Sequence, residues 1–379
     1  MSKYLKKFQQ HSDYESFVER AERETPFVSV CVNEGDCHYD YLMDPYPNVL
    51  TFMAKEPNSS IKFRRVGTGK TLSNAVLQYS TNYGKTWNNY LLNANILLNN
   101  DGDSVKFKGI NSTLAIDINN HHQFVMTGKI SAKGDITSLF NGDGLDVVMP
   151  SYACFKLFSG CTSLITAPKL PSTTLGNNCY YLMFSRCSEL TESPELPATT
   201  LASNCYESMF SNCTSLTTGP SSIGNSATTM AASACSRMFY ECTSLTTAPE
   251  LPATTLASYC YYSMFGHCSS LVVAPELPAT TLAKKCYYAM FTNCLSLAVA
   301  PELPATTLVD GCYSFIFNIC SNINYIKAMF TTTPSTNYTN SWVSGVSSTG
   351  IFVKNSSASW DVSGNHGIPT NWTVQTASS

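Results

Sequence analysis

The sequence predicts a mixed α/β protein dominated by a solenoid of short repeats, and three observations support this. One cysteine recurs at positions 161, 187, 213, 242, 268, 294 and 320, in steps of 26 residues apart from one step of 29. The surrounding residues are nearly the same each time, as in LASYCYYSMFGHCSSLVVAPELPATT over 256–281. Segments with β-type alternation precede the repeats, and a tail rich in Ser, Thr, Asn and aromatic residues follows them.

Each repeat is expected to contain a short strand and a short helix. Between Leu256 and Cys268, apolar residues recur at offsets of 4, 5, 8, 9 and 12, which favours one face of a helix. The following run, 271–277, is bounded by Pro275 and Pro278 and suits a strand that ends in a turn. One such unit cannot bury its apolar face alone, so stacking of about seven turns is expected to provide the core.

Two repeats depart from the consensus. Ala153-Cys154 and Ala234-Cys235 replace the usual Cys-Tyr pair, and three extra residues lie within 220–230. The apolar positions resume in register after the extra residues. The insertion is therefore expected to bulge at a corner without breaking the stack.

The cysteines of the repeats are expected to be free packing residues. Fourteen of the sixteen lie in the repeats, usually eight residues apart within a turn. On a helix that spacing corresponds to a rise of ~12 Å, whereas a disulfide needs Cα atoms within about 7 Å. Closely spaced ligand pairs of the zinc type are also missing from the sequence. Buried columns of thiols are favoured, and a disulfide between neighbouring turns remains the alternative.

The flanking segments complete a four-part organisation. Residues 1–47 are predicted to be an anchoring segment that begins with an amphipathic helix over 1–21. Residues 48–138 alternate in β fashion and predict a small antiparallel sandwich, 139–327 the solenoid, and 328–379 a C-terminal cap. Four aromatic residues of the tail are expected to form the core of that cap, with a sugar-binding platform as the alternative: Trp342, Phe352, Trp360 and Trp372.

Two local motifs lie in the β-rich part. Residues 80–87, STNYGKTW, resemble the sialidase Asp-box S-x-D-x-G-x-T-W with Asn82 in place of Asp. That motif forms the turn of a β-hairpin, so it predicts β structure and does not support catalysis. His121 and His122 are expected to be solvated in a polar loop.

The repeat line L-x-x-A-P-x-L-P-A-T-T-L-x-x-x-C-Y-x-x-M-F-x-x-C-x-x-L resembles the BspA-like, or Treponema-type, leucine-rich repeat. Met264-Phe265 stands for the Ala-Phe pair of that family, and Cys268 for its cysteine. The resemblance implies a leucine-rich-repeat solenoid with a binding or adhesion role and no catalysis. The whole layout also resembles repeat proteins of Bacteroidales phages and prophages, crAss-like phages included, which implies a virion protein.

Composition and motifs restrict the classes of function. The net charge of −3 and the pI of about 6.1 give no electrostatic reason to expect nucleic acid or an anionic membrane as partner. No apolar run approaches the ~18 residues that span a bilayer, and no secretory signal is recognised at the N-terminus. No G-x-S-x-G, H-E-x-x-H or phosphate-loop motif occurs, so neither a catalytic residue nor a cofactor is expected.

These observations predict a non-enzymatic phage virion protein, a fibre or appendage component that contacts the host surface through its solenoid. Its expected partners are other virion proteins, through the N-terminal segment, and a host surface glycan or protein. A homo-oligomer is expected, with a trimer as the leading form, located in virions assembled in the host cytoplasm. The alternatives are a bacterial cell-surface adhesin with BspA-like repeats and, second, a carbohydrate-active enzyme.

Candidate site residues lie in the repeats. One slot after a proline holds an acidic ladder of four residues: Glu195, Glu250, Glu276 and Glu302. Stacked turns would bring these carboxylates together, so either they splay into water or they form a stripe that binds cations or a partner. The candidate binding surface consists of Tyr262, His267 and Tyr288 together with Glu276 and Glu302.

Overall fold

The computed structural model describes residues 46–67, 72–142, 148–225 and 228–377. In these ranges the protein is almost entirely strand and turn, and its only helices are α1 (Ser138–Asn141) and α2 (Thr336–Thr339), of four residues each. The predicted mixed α/β class, with a leucine-rich-repeat solenoid that carries a helix in every turn, is therefore wrong. The helix predicted over 1–21 lies outside the described residues. No helix of the described ranges is long and apolar enough to cross a bilayer.

Two sheets form the N-terminal part. Their strands are β1 (Leu50–Ala54), β2 (Ser59–Val66), β3 (Leu77–Ser80), β4 (Asn88–Asn89), β5 (Asn95–Leu98), β6 (Ser104–Gly109), β7 (Ala115–Asp117), β8 (Asn120–Thr127), β9 (Ile130–Lys133) and β10 (Leu164–Thr166). One sheet has the order β10-β9-β1-β6-β3-β4 and the other β5-β2-β8-β7. All pairs are antiparallel except β9–β10, which is parallel and extends the first sheet into the first repeat.

Aromatic side chains on alternate strand positions fill the space between the two sheets. Phe52 and Phe107 come from the first sheet, Phe63 and Phe124 from the second, and all four are fully buried. The rings of Phe52 and Phe124 lie 5.0 Å apart across the two layers. The period-two alternation of 48–138 therefore does correspond to antiparallel strands with one buried face.

The segments predicted as helices are rows of tight turns. Alternate residues donate their backbone N–H to the carbonyl three residues earlier, as Met183 does to Tyr180 at 3.1 Å. The residues between them donate to the next repeat, as Phe184 does to Met209 at 2.9 Å. An α-helix would instead bond every N–H four residues back within the same segment. Each turn row is thus tied along its length to the following repeat.

A strict four-residue period explains both the turns and the wrong prediction. Asn178, Leu182 and Arg186 have φ values of 57°, 56° and 63°, so every fourth residue is left-handed. One left-handed residue occurs in each four-residue turn. The apolar residues at offsets 4, 5, 8 and 9 from the start of the segment therefore lie on one side of the turn row. On an α-helix the same pattern would drift by about 40° every four residues. The offsets match a period of 4.0 better than one of 3.6.

We expect Arg186→Gly to stabilise the protein by about 0.5–1 kcal/mol. An L-residue in the left-handed region costs about 1–2 kcal/mol, which glycine avoids, although glycine also gives the unfolded chain more entropy. Arg186 is exposed, so its side chain contributes little packing. Urea unfolding of the variant, of Arg186→Ala and of Glu189→Gly measures the effect. Glu189 is exposed and is not left-handed, so glycine should destabilise there. A variant Arg186→Gly less stable than Arg186→Ala would contradict the explanation.

Parallel bridges align the same position of successive repeats. Thr218 pairs with Thr247 across the 29-residue step, while Thr229 already pairs with Thr255 at the ordinary step of 26. The extra residues are therefore accommodated between 218 and 229, and the register continues beyond them. This confirms the predicted return to register.

A column of stacked phenylalanine rings forms the centre of the repeats. Its members are Phe158, Phe184, Phe210, Phe239, Phe265, Phe291 and Phe317. Neighbouring rings lie 5.3–6.0 Å apart and nearly parallel. Phe124 of β8 stacks on Phe158 at 5.3 Å, and Trp342 lies 6.4 Å from Phe317 at the other end. One continuous core therefore joins the N-terminal sheets, the repeats and the C-terminal part.

The C-terminal part is a third, parallel sheet of β11 (Tyr325–Ala328), β12 (Ile351–Lys354) and β13 (Thr373–Thr376). Trp342, Trp360 and Trp372 are buried beside it, and their indole N–H groups donate to backbone carbonyls at 2.8–3.1 Å. Phe352 is fully buried as well. The prediction that these aromatic residues form a core rather than a sugar platform is confirmed.

Candidate binding surfaces

The fourteen repeat cysteines are free and buried, as predicted. In one column the thiols from Cys187 onward donate to the carbonyl of the phenylalanine one repeat earlier, as Cys268 Sγ does to Phe239 at 3.0 Å and Cys294 Sγ to Phe265 at 3.1 Å. Burial raises the pKa of Cys268 to about 12. These thiols are therefore neutral donors within the core, and not nucleophiles or metal ligands.

The acidic ladder does not act as a single cluster. Glu195 accepts hydrogen bonds from Ser221 N and Oγ, the latter at 2.7 Å, and Glu302 pairs with Lys327 Nζ at 3.0 Å. Glu250 and Glu276 are exposed and form no side-chain hydrogen bond or ion pair with another described residue. Within the described ranges, no three His, Cys, Asp or Glu side chains lie close enough to hold a metal ion.

An apolar groove lies beside two members of that ladder. It has a volume of about 650 Å³ and runs between residues 272–278 and 299–304 of adjacent repeats. Val272, Val273 and Val299 line it and remain 55–58 % exposed. Proline residues and two carboxylates complete the lining: Pro275, Pro278, Pro301, Pro304, Glu276 and Glu302. These side chains together form an exposed, mainly apolar concavity on the surface of the repeats.

A second surface is formed by the turn rows of later repeats, and we call Tyr259, Tyr262, Tyr288 and Phe315 the tyrosine ribbon. The rings of Tyr262 and Tyr288 stack at 4.8 Å with an interplanar angle of 4°. Tyr259 lies 5.9 Å from Tyr262, and Phe315 lies 5.4 Å from Tyr288. All four side chains are half-buried. Three of the four carry a phenol hydroxyl.

Two cations flank the tyrosine ribbon. The Arg237 guanidinium lies 5.4 Å from the Tyr262 ring, and Lys285 Nζ lies 5.5 Å from the Tyr288 ring. Among the described residues, neither cation lies within salt-bridge distance of a carboxylate, but each is electrostatically coupled to one, Arg237 to Glu207 and Lys285 to Asp310. The ribbon therefore combines rigid aromatic area with positive charge that is held by cation–π contacts.

Four of the five predicted binding residues form two pairs, and the fifth, His267, lies apart from both. Tyr262 and Tyr288 come together in the tyrosine ribbon, whereas Glu276 and Glu302 come together in the groove. His267 belongs to the turn rows, where its ring contacts Tyr240 at 5.1 Å and its Nδ1 lies 3.1 Å from Asn293 Nδ2.

The valines of the groove were missed by the sequence reasoning. The available signal was a departure from the consensus: Val272 and Val273 occupy positions where the preceding repeat has Thr246 and Thr247. Arg237 and Lys285 were missed because their slots are occupied by different residue types in other repeats.

The Asp-box-like segment is a turn, as predicted. Between β3 and β4, Asn82 Oδ1 accepts from Thr86 N at 3.0 Å and from Ser80 Oγ at 2.8 Å, and Gly84 N donates to Ser80 Oγ. Gly84 has a φ of 87°, which glycine adopts without strain. The side chains of the motif thus satisfy one another and the local backbone.

The prediction that His121 and His122 are solvated is wrong. Both lie in β8 and are buried, with His122 stacked on Phe63 at 5.4 Å and its Nδ1 3.0 Å from the Leu114 carbonyl. Desolvation by burial, with a contribution from Lys156, lowers the pKa of His121 to about 4. Both imidazoles are therefore neutral core groups near pH 7.

Comparisons with protein-family models, with curated proteins and with solved structures each found no match.

Proposed function

We propose that this chain is a non-enzymatic binding protein that contacts a host cell surface through its tyrosine ribbon, as a fibre or appendage component of a phage virion. The observation that carries the binding role is the stacked Tyr262–Tyr288 pair flanked by Arg237 and Lys285. The resemblance of the whole layout to repeat proteins of Bacteroidales phages and prophages supports the virion setting.

The ribbon suits recognition because its side chains are already ordered. The backbone of Ser263 donates to the Tyr288 carbonyl at 2.7 Å, which ties the two ring-bearing turns together. Binding to pre-ordered rings costs little side-chain entropy, and tyrosine provides both apolar contact and a hydroxyl. Phenol hydroxyls and cations in a row suit a surface glycan or an acidic protein segment.

The same proposal includes the assembly of the particle. Residues 1–47 would attach the chain to other virion proteins, and the chain would form a homo-oligomer, with a trimer as the leading form. Such an arrangement would display several ribbons at once, so that weak individual contacts add through avidity.

A binding assay on cells tests the ribbon. We expect the double substitution Tyr262→Ala and Tyr288→Ala to reduce binding of the purified protein to host Bacteroidales cells by at least about tenfold, as for paired aromatic contacts at an interface centre. Tyr181→Ala is the matched control, because Tyr181 fills the Tyr262 slot in the second repeat, outside the ribbon. Equal losses in both variants, at equal thermal stability, would refute the assignment.

The alternative is a bacterial cell-surface adhesin, which the BspA-like repeat line favours equally. Immunogold labelling separates the two, because antibody would mark phage particles in one case and the bacterial envelope in the other. Labelling of the envelope in phage-free cultures would overturn the virion setting while leaving the ribbon assay valid.

A further inference from the structure

Two histidines are buried where the N-terminal sheets meet the first repeat. Strand β8 carries both His121 and His122. The same strand is bonded to the first repeat, because the Phe124 N–H donates to the Leu157 carbonyl at 2.8 Å and the Phe124 ring stacks on Phe158. A change in the charge of either imidazole therefore acts directly on this junction.

The hydrogen bonds of His122 require its neutral form. Its Nδ1 lies 3.0 Å from the Leu114 carbonyl, so Nδ1 carries a hydrogen and donates it. Its Nε2 accepts from the Ala75 N–H at 3.3 Å, so Nε2 keeps its lone pair. Protonation of Nε2 would set two N–H donors against each other and remove the acceptor of the Ala75 amide. The structure around His122 is therefore built for an uncharged ring.

No described hydrogen bond stabilises a charged His121. Its Nδ1 is buried and has no hydrogen-bond partner among the described residues. The ring instead packs edge-on against Phe155 of the first repeat, with centroids 5.5 Å apart. Protonation would place a cation in this contact without a hydrogen bond to replace its lost hydration.

The charged groups that face the two imidazoles are mainly basic. In the described ranges they are Arg64 and Arg65 of β2, Lys156 of the first repeat and Asp117 of β7. Asp117 already accepts hydrogen bonds from the backbone of Asn119 and Asn120 in the β7–β8 turn. Burial is the main cause that lowers the pKa of His121, to about 4, and the pKa of His122.

We infer that His121 and His122 make the junction between the N-terminal sheets and the first repeat acid-sensitive, so that their protonation releases β8 from the first repeat. In the released form both imidazoles meet water and bind protons at their ordinary pKa of about 6.5. Their pKa values in the closed form lie lower, so the released form binds more protons. Falling pH therefore favours release from about pH 6.5 downward.

The effect is confined to the junction because the later repeats lack such a group. The one histidine of the described repeats beyond the first, His267, is half-buried on the turn rows. The stack of the later repeats, with the tyrosine ribbon, should therefore stay closed when the junction opens. No residue of the ribbon takes part, so this inference and the proposed function stand independently.

Hydrogen exchange of the full chain at pH about 7.5 and about 5, corrected for the intrinsic exchange rate at each pH, tests the inference. The amides of Phe124 and Ile130 donate to carbonyls of the first repeat, and their protection should fall at least about tenfold at the lower pH. The amides of Phe265 and Phe291 donate to later repeats, and their protection should change less than about threefold. Unchanged protection at the junction, or an equal loss in all repeats, overturns the inference.

The substitution His121→Phe removes one titrating group and no described hydrogen bond. It should reduce the acid-induced loss of protection at Phe124 by at least about fivefold. The matched control is His267→Phe, which makes the same change on the turn rows and should leave that loss unchanged within about twofold. An equal effect of the two variants contradicts the inference.

A second measurement on the unaltered chain does not depend on how the variants fold. Exchange of the imidazole C2 hydrogen, followed against pH, gives the protonation midpoint of each histidine. The midpoints of His121 and His122 should lie below those of the same residues in the urea-unfolded chain. Equal midpoints in the folded and unfolded chains would show that the junction does not respond to these two groups.

Discussion

Raising the pH from about 8 to about 11 is expected to unfold the protein in one cooperative step, because its core contains a large number of neutral thiols. Fourteen cysteines are buried in the repeats. Burial raises the pKa of Cys213 and Cys268 from an ordinary 9.0 to about 12, and it raises the pKa of Cys187 and Cys294 well above 9.0. Unfolding returns these groups to water and to their ordinary acidity.

The direction of the effect follows from proton binding. Below pH about 8.5 both states keep the thiols protonated, so these groups do not alter the free energy of unfolding. Above it, the unfolded chain releases protons that the folded chain retains, and stability falls until the folded pKa values are reached. Each thiol in this window contributes a loss of about 1.4 kcal/mol per pH unit. Fourteen together exceed the stability of an ordinary domain, which is about 5–15 kcal/mol, within one to two pH units.

Circular dichroism and thiolate absorbance, recorded together across the pH range, provide the measurement. A background with Cys31→Ser and Cys37→Ser restricts the signal to the repeat thiols. Thiolate absorbance should appear only together with loss of structure, and Cys268→Ser should reduce the steepness by about one proton. Gradual thiolate formation from pH about 8.5 with the structure intact would show that the columns are open to water.

The buried tyrosines act in the same direction at higher pH. Burial raises the pKa of Tyr261, Tyr287 and Tyr313 well above 10.0. Their ionisation therefore also favours the unfolded chain, beginning about one pH unit above that of the thiols. Tyrosinate absorbance should accordingly follow the unfolding transition and not precede it.

The period of the repeat was predictable, whereas the local conformation was not predicted. Identical residues at 26-residue steps require equivalent environments, so columns of Phe and Cys follow from Phe265 and Cys268 alone. The turn rows depend on left-handed residues such as Leu182 and Arg186, whose residue types give no sign of a positive φ. The remaining signal was the period of 4.0 in the apolar offsets.

The candidate site was predicted in part for the same reason. Tyr262 and Tyr288 are 26 residues apart, so stacking of the repeats places them side by side. The position of the groove valines depends on which side of the strand line faces solvent, and the strand predicted over 271–277 does not by itself indicate this. The prediction for His121 and His122 was wrong because the polar residues around them indicated a loop. Both rings instead pack against aromatic side chains of the core.

Phe265→Ala is expected to lower the free energy of unfolding by about 3–5 kcal/mol, the range for truncation of a fully buried aromatic ring. Phe265 is completely buried and stacks between Phe239 at 5.6 Å and Phe291 at 5.7 Å. The neighbouring turns cannot close the space, because backbone hydrogen bonds fix the spacing of the repeats, as between Phe265 N and the Met290 carbonyl at 2.9 Å.

The matched control for this substitution is Phe315→Ala, which removes the same side chain from the half-buried tyrosine ribbon and should cost less than about 1.5 kcal/mol. Urea unfolding gives the free energy of unfolding of both variants, and hydrogen exchange shows which backbone amides lose protection. Because the column is continuous with Phe124, faster exchange is expected in β8 as well as in the adjacent repeats. Equal costs for the two variants would mean that the column does not hold the repeats together. Exchange that is faster only beside residue 265 would mean that the N-terminal sheets unfold independently of the repeats.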